Sequence, residues 1–69
     1  MKKEIIATIA FQDIGVGFYG IIDENGNQYF PINLPEKHRK EGQVVTLTIE
    51  EKPDIITDVM WGVPVLVAD

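Results

Sequence analysis

Glu24-Asn25-Gly26-Asn27 is the stretch that most restricts what this chain can become. Gly17-Phe18-Tyr19-Gly20-Ile21-Ile22-Asp23 precedes it and Gln28-Tyr29-Phe30-Pro31-Ile32 follows, both rich in β-branched and aromatic residues. An Asn-Gly pair between two such runs is the strongest short-range hairpin signal, because both residues tolerate the positive φ of a type I′ turn. The pattern predicts strands from Gly17 to Asp23 and from Asn27 to Ile32, with the turn between them. A lone two-stranded ribbon is marginal in water, so the rest of the chain has to supply strands that cover it.

It does so on both sides. From Glu4 to Gln12, Ile5, Ala7, Ile9 and Phe11 fall on one face at period two, while Ile6, Thr8, Ala10 and Gln12 fall on the other. The first face is expected to be core, and the half-apolar second one to be partly covered by a loop, by the far side of a curled strand, or by a partner. From Gln43 to Glu51, Val45, Leu47 and Ile49 alternate with Val44, Thr46, Thr48 and Glu50, and Pro53 ends the run. Val63 to Ala68 reads as a last strand. Pro31 and Pro64 cannot donate to a ladder, so each marks an edge, an end of pairing or a closing seam.

The connections are less regular. Gly15 and Gly17 suit a turn followed by a bulge or sharp bend; a phosphate loop would need a following helix and denser glycines. Leu34 to Gly42 is the one plausible helix, of one to two turns, with Pro35 at its first position, Gly42 just past its end and Leu34 as its anchor. Asp54 to Met60 has helix-like apolar spacing but β-branched residues, so a short turn and an irregular strand fit it equally.

Strand, strand, strand, short helix, strand, strand is the order of an all-β, five-stranded OB-like barrel, with the helical turn between strands 3 and 4. An SH3-like barrel is the alternative. The 69 residues make one domain, 1–69. A chain this short buries only about 60% of its unfolded surface, so its stability margin is narrow. With no cysteine and one histidine it can build neither a disulfide nor a Cys/His zinc site, and packing has to hold it together.

Gly17-Phe18-Tyr19-Gly20-Ile21-Ile22, Asn33-Leu34-Pro35-Glu36, Gly42 with Val44 or Val45, and Trp61-Gly62-Val63-Pro64-Val65 together resemble a spread of small prokaryotic β-barrel domains. Those share a G-F-Y-G-I, N-L-P, W-G-x-P-V layout, and the OB-like domain of NigD-type lipoproteins is similar. The resemblance spans roughly residues 15 to 67 and implies an OB-like fold. It brings no family catalytic residue with it. The sequence departs from the lipoproteins in lacking a leader and a lipid-attachment cysteine.

Lys and Arg total 6 against 11 Asp and Glu, a net charge of −5, which opposes phosphate binding and disfavours nucleic acid as a partner. Lys37-His38-Arg39-Lys40, bracketed by Glu36 and Glu41, reads as a solvated face. No run of about 18 apolar residues is present to span a membrane, and a cytoplasmic setting is expected. There is no serine or cysteine nucleophile, and His38 lies in a charged turn with no nucleophile beside it, so the chain reads as a non-enzyme without cofactor. Glu50, Glu51, Asp54 and Asp58 read as a solvated acidic rim.

Met60-Trp61-Gly62 and the hairpin aromatics are the remaining candidates. Trp61 either caps an open end of the barrel or shares an exposed face with Tyr19 and Tyr29, forming a ligand-binding platform that stacks a sugar or a base. The expected function is therefore protein–protein interaction or self-association, with a protein partner or homo-oligomer taken up at exposed edges near Pro31 and Pro64. The alternative is a barrel binding an oligosaccharide or a single strand on Tyr19, Tyr29 and Trp61.

Overall fold

A computed structural model of the chain describes residues 2–57 and 61–68. Five strands, β1 (Lys2–Gln12), β2 (Phe18–Asp23), β3 (Gln28–Pro31), β4 (Val44–Glu51) and β5 (Val63–Ala68), close into a barrel in the order β1-β2-β3-β5-β4. This is the strand order of a small OB-like barrel. All neighbours are antiparallel except β3 and β5, which run parallel.

β1 is long because it serves two partners. Residues Lys2 to Thr8 pair with β4, and Ala7 to Gln12 pair with β2. One curled strand thus crosses both halves of the sheet. Its period-two pattern places Ile5, Ala7 and Ile9 inside, where they meet Ile21, Tyr29, Leu47, Ile49, Val65 and Val67. Ile9, Ile21, Leu47, Ile49 and Val65 are the largest fully buried side chains, each contributing about 1.5–3 kcal/mol by leaving water. Phe11 keeps the core side of the sheet, opposite Tyr19, but is 41% exposed rather than buried. It lies at the barrel mouth, beyond the last core layer, edge-to-face with Tyr19 at 5.2 Å.

The hairpin turn also differs from the type I′ expectation. Among the described residues only glycines have positive φ, so Asn25 does not adopt it. Instead Gly26 N–H donates to Asp23 O at 3.1 Å, closing a type I turn over Glu24 and Asn25, and Gly26 at φ 85° forms the bulge that follows. Asp23 decides between the two. Its carboxylate accepts from the Asn25 and Asn27 backbone N–H groups, both at 2.9 Å, and from the Asn27 side-chain amide at 3.0 Å. Aspartate at the first position of a type I turn does this readily.

The predicted helix shrinks to one 3-10 turn, Glu36–His38. Pro35 before it and the charged run after it leave Leu34 as its single apolar anchor, and Leu34 is buried in the core. The two prolines meet at the closing seam, where Phe30 pairs with Pro64 and Pro31 with Val65. The exposed edges expected there are therefore occupied, and strand addition beside Pro31 or Pro64 is corrected to intramolecular closure. Asn33 lengthens that seam: its side chain accepts from Val67 N–H at 2.7 Å and donates to Val67 O at 3.1 Å, imitating a strand residue. Among the described residues, no helix is long and apolar enough to cross a membrane.

Candidate functional site

Period-two geometry sorts the hairpin aromatics. Ile21 points inward, so Tyr19 on the same strand and Tyr29 opposite Ile21 share its side of the sheet. Tyr29 is 3% exposed and Tyr19 packs against the core. Phe18, Gly20 and Phe30 face outward. Trp61 joins them, its ring lying on Gly20: an ideal Cβ there would be 2.3 Å from Cη2 and Cζ3. The expected platform of Tyr19, Tyr29 and Trp61 is thus not assembled, because the sheet separates both tyrosines from the tryptophan.

What the fold does assemble on the outer β2–β3 face is Phe18, Phe30 and Trp61. Phe18 meets Phe30 edge-to-face at 5.0 Å and Trp61 at 5.6 Å. All three are half-buried, as rings that pack on one another rather than on solvent. Gly62, at φ 72°, fixes the approach of Trp61, since a Cβ at that position would stand 2.8 Å from Gln28 O.

Two connections rise beside this aromatic floor. Between β1 and β2, Gly17 N–H donates to Ile14 O at 3.0 Å, a turn that lifts Ile14 and Val16. Gly17 has φ 87°, and a Cβ on it would lie 2.6 Å from Phe11 Cζ, so the bend and the close approach both need glycine. Between β4 and β5, Lys52 N–H to Pro64 O at 2.7 Å and Ile55 N–H to Lys52 O at 3.1 Å shape a loop that presents Ile55, Ile56 and Thr57. The two loops and the floor residues Phe18, Phe30 and Ile32 enclose an open cleft of ≈ 400 Å³ that, among the described residues, has no charged side chain in its lining. A second cleft of ≈ 340 Å³ continues from it over Phe18 and Phe30 toward Phe11, Leu34 and Arg39. Val16 and Ile56 stand at the rim with relative exposures of 105% and 95%. Single exposed apolar residues are ordinary; several converging on one concavity mark an interaction surface.

Several charged groups are engaged in pairs away from this cleft. Lys3 Nζ lies 3.0 Å from Glu51 and 5.1 Å from the centre of the Tyr29 ring; the Tyr29 hydroxyl first, and Glu51 second, hold its ammonium pKa well above the ordinary lysine range. Lys52, 3.2 Å from Glu50, pulls that carboxyl below its usual value. The Asn27 side-chain amide, helped by the Asn25 and Asn27 backbone N–H groups, lowers the pKa of Asp23 against the opposing effect of burial. Glu50 and Glu51 are thus separately paired, Asp54 is exposed, and Asp58 and Met60 lie outside the described residues. No group of three or more His, Cys, Asp or Glu among the described residues could hold a metal ion.

Sequence reasoning missed Phe18, Phe30, Ile14, Val16, Ile55 and Ile56. The parity of the hairpin carried the signal for the first two. Gly20, the one outward position without a side chain, marked where a large ring could lie. No family model, curated protein or solved structure matches the chain.

Proposed function

We propose that this barrel is a non-enzymatic binding module that receives an apolar segment of another protein in the cleft between the β1–β2 and β4–β5 loops. The observation that carries the reading is the convergence of Ile14, Val16, Ile55 and Ile56 over the Phe18 and Phe30 floor, on the β2–β3 face that OB-like barrels use for ligands. Burying such side chains against a partner is worth about 25 cal/mol per Å² before the costs of association. Stacking of a sugar or base is the weaker reading, because Phe18, Phe30 and Trp61 pack against each other and Gly20. Self-association is opposed by a charge of −5 on every copy.

The test is a titration of methyl-labelled chain with a neutral peptide, acetyl-Gly-Gly-Leu-Phe-Leu-Gly-Gly-amide, followed by NMR. The expected result is saturable shifts confined to the methyls of Ile14, Val16, Ile32, Ile55 and Ile56. The double substitution Val16→Ser/Ile56→Ser should weaken binding about five-fold or more while leaving the fold intact, as both side chains are exposed. Shifts centred elsewhere, or none at millimolar peptide, refute the reading.

A further inference from the structure

Resting on that reading, we infer that the segment taken by the cleft is cationic as well as apolar: a large hydrophobic anchor flanked by lysine or arginine. The chain segregates its charges. From Glu4 to Glu36 there is no lysine, arginine or histidine, while Glu4, Asp13, Asp23, Glu24 and Glu36 all fall in that span. This interval contains β2, β3 and the β1–β2 loop, and so supplies the floor and one wall of the cleft. Each wall carries an exposed carboxylate next to a lining isoleucine, Asp13 beside Ile14 and Asp54 beside Ile55.

The cations near this face stand at its margins, outside the 400 Å³ cleft. Lys52, at the foot of the β4–β5 loop, pairs with Glu50 at 3.2 Å. Arg39 keeps its charge but lies in the adjoining cleft with Leu34, whose carbonyl accepts from its Nε at 3.3 Å, and not among the residues lining the 400 Å³ cleft. An occupant of the cleft therefore extends past an apolar interior onto the two loop rims that carry the Asp13 and Asp54 carboxylates. A phosphate backbone laid along the same floor would meet no cation between residues 4 and 36. A second copy would bring its own −5 to the contact. Complementary charge favours a basic segment, speeding its encounter more than deepening its affinity.

The experiment extends the NMR titration to two further peptides, acetyl-Lys-Lys-Leu-Phe-Leu-Lys-Lys-amide and its Glu-flanked counterpart, with the oligonucleotide dT8 as a fourth probe. The Lys-flanked peptide should bind the same methyls about five-fold tighter than the neutral one at low salt, and the Glu-flanked peptide weaker than either. The advantage should shrink at 0.5 M NaCl and in Asp13→Asn/Asp54→Asn, whose substitutions leave the apolar lining alone. Equal binding of neutral and Lys-flanked peptides overturns the inference and leaves the binding module standing. Failure of all three peptides overturns both. Saturable binding of dT8 at these methyls, or concentration-dependent dimerisation in sedimentation with shifts at the same methyls, also overturns it.

Discussion

Replacing Gly20 with alanine adds one carbon where the Trp61 ring already stands. That carbon would be 2.3 Å from Cη2 and Cζ3 and 3.2 Å from Cε3. Carbon–carbon contact begins near 3.5 Å, so the ring has to retreat by roughly 1.2 Å or swing off the sheet. Overpacking of this kind costs about 1–3 kcal/mol. Opposing it, alanine in a strand is favoured over glycine by about 0.5–1 kcal/mol, and Gly20 is not among the glycines with positive φ, so the backbone accepts the change. The expected net loss is about 0–2.5 kcal/mol, read by urea unfolding with far-UV circular dichroism. Emission from Trp61 should shift to the red and become easier to quench. Trp61→Leu removes the ring atoms that clash, and in that background Gly20→Ala should stabilise by about 0.5–1 kcal/mol. If Gly20→Ala destabilises equally in both backgrounds, the packing of Trp61 on the outer β2–β3 face is not what Gly20 is for.

Asn33→Ala removes both side-chain hydrogen bonds to Val67 and should lower stability by about 1–3 kcal/mol in the same unfolding assay, with faster exchange of the Val67 amide. Gly62→Ala combines a φ of 72° with a Cβ 2.8 Å from Gln28 O, and should cost about 1–3 kcal/mol and loosen Trp61, seen as increased quenching. The pKa of Asp23 is lowered from its ordinary 3.8, so its contribution to stability is fully present above that value and is lost as pH falls through the folded-state pKa. Unfolding of Asp23→Ala across pH 2–6 should accordingly differ most from the parent at the upper end and converge with it under acid. Val16→Ser/Ile56→Ser should leave the unfolding free energy unchanged within about 0.5 kcal/mol, since both side chains already face water.

Most of the barrel was legible because its strands obey period two. Ile5, Ala7 and Ile9 in β1, and Leu47 and Ile49 in β4, entered the core as their alternation requires. The prolines were legible as punctuation but ambiguous in sense. Only the parallel pairing of β3 with β5, a contact between residues more than thirty positions apart, decides that they meet at a seam. Phe11 shows the limit of alternation, which gives a side of the sheet and not a depth along the barrel axis. The turn at Gly26 shifted from type I′ because a carboxylate three residues upstream satisfied local donors that a dipeptide rule ignores. The site was illegible for a related reason. One wall comes from a loop without periodicity and the other from a run whose helix-like spacing left its conformation open, and its floor is the outward face of strands whose inward face drew attention first.

The curl of β1 has a consequence for how the chain is made. Its leading half finds its neighbour only in β4, and the barrel shuts only when residues 63–68 slot between β3 and β4. During synthesis, the early hairpin and β1 emerge with an open edge and no strand to fill it, so closure has to await residue 68 clearing the ribosome. Such long-range closure is slow relative to local turns. The barrel is thus most vulnerable to misassembly in the interval before β5 emerges.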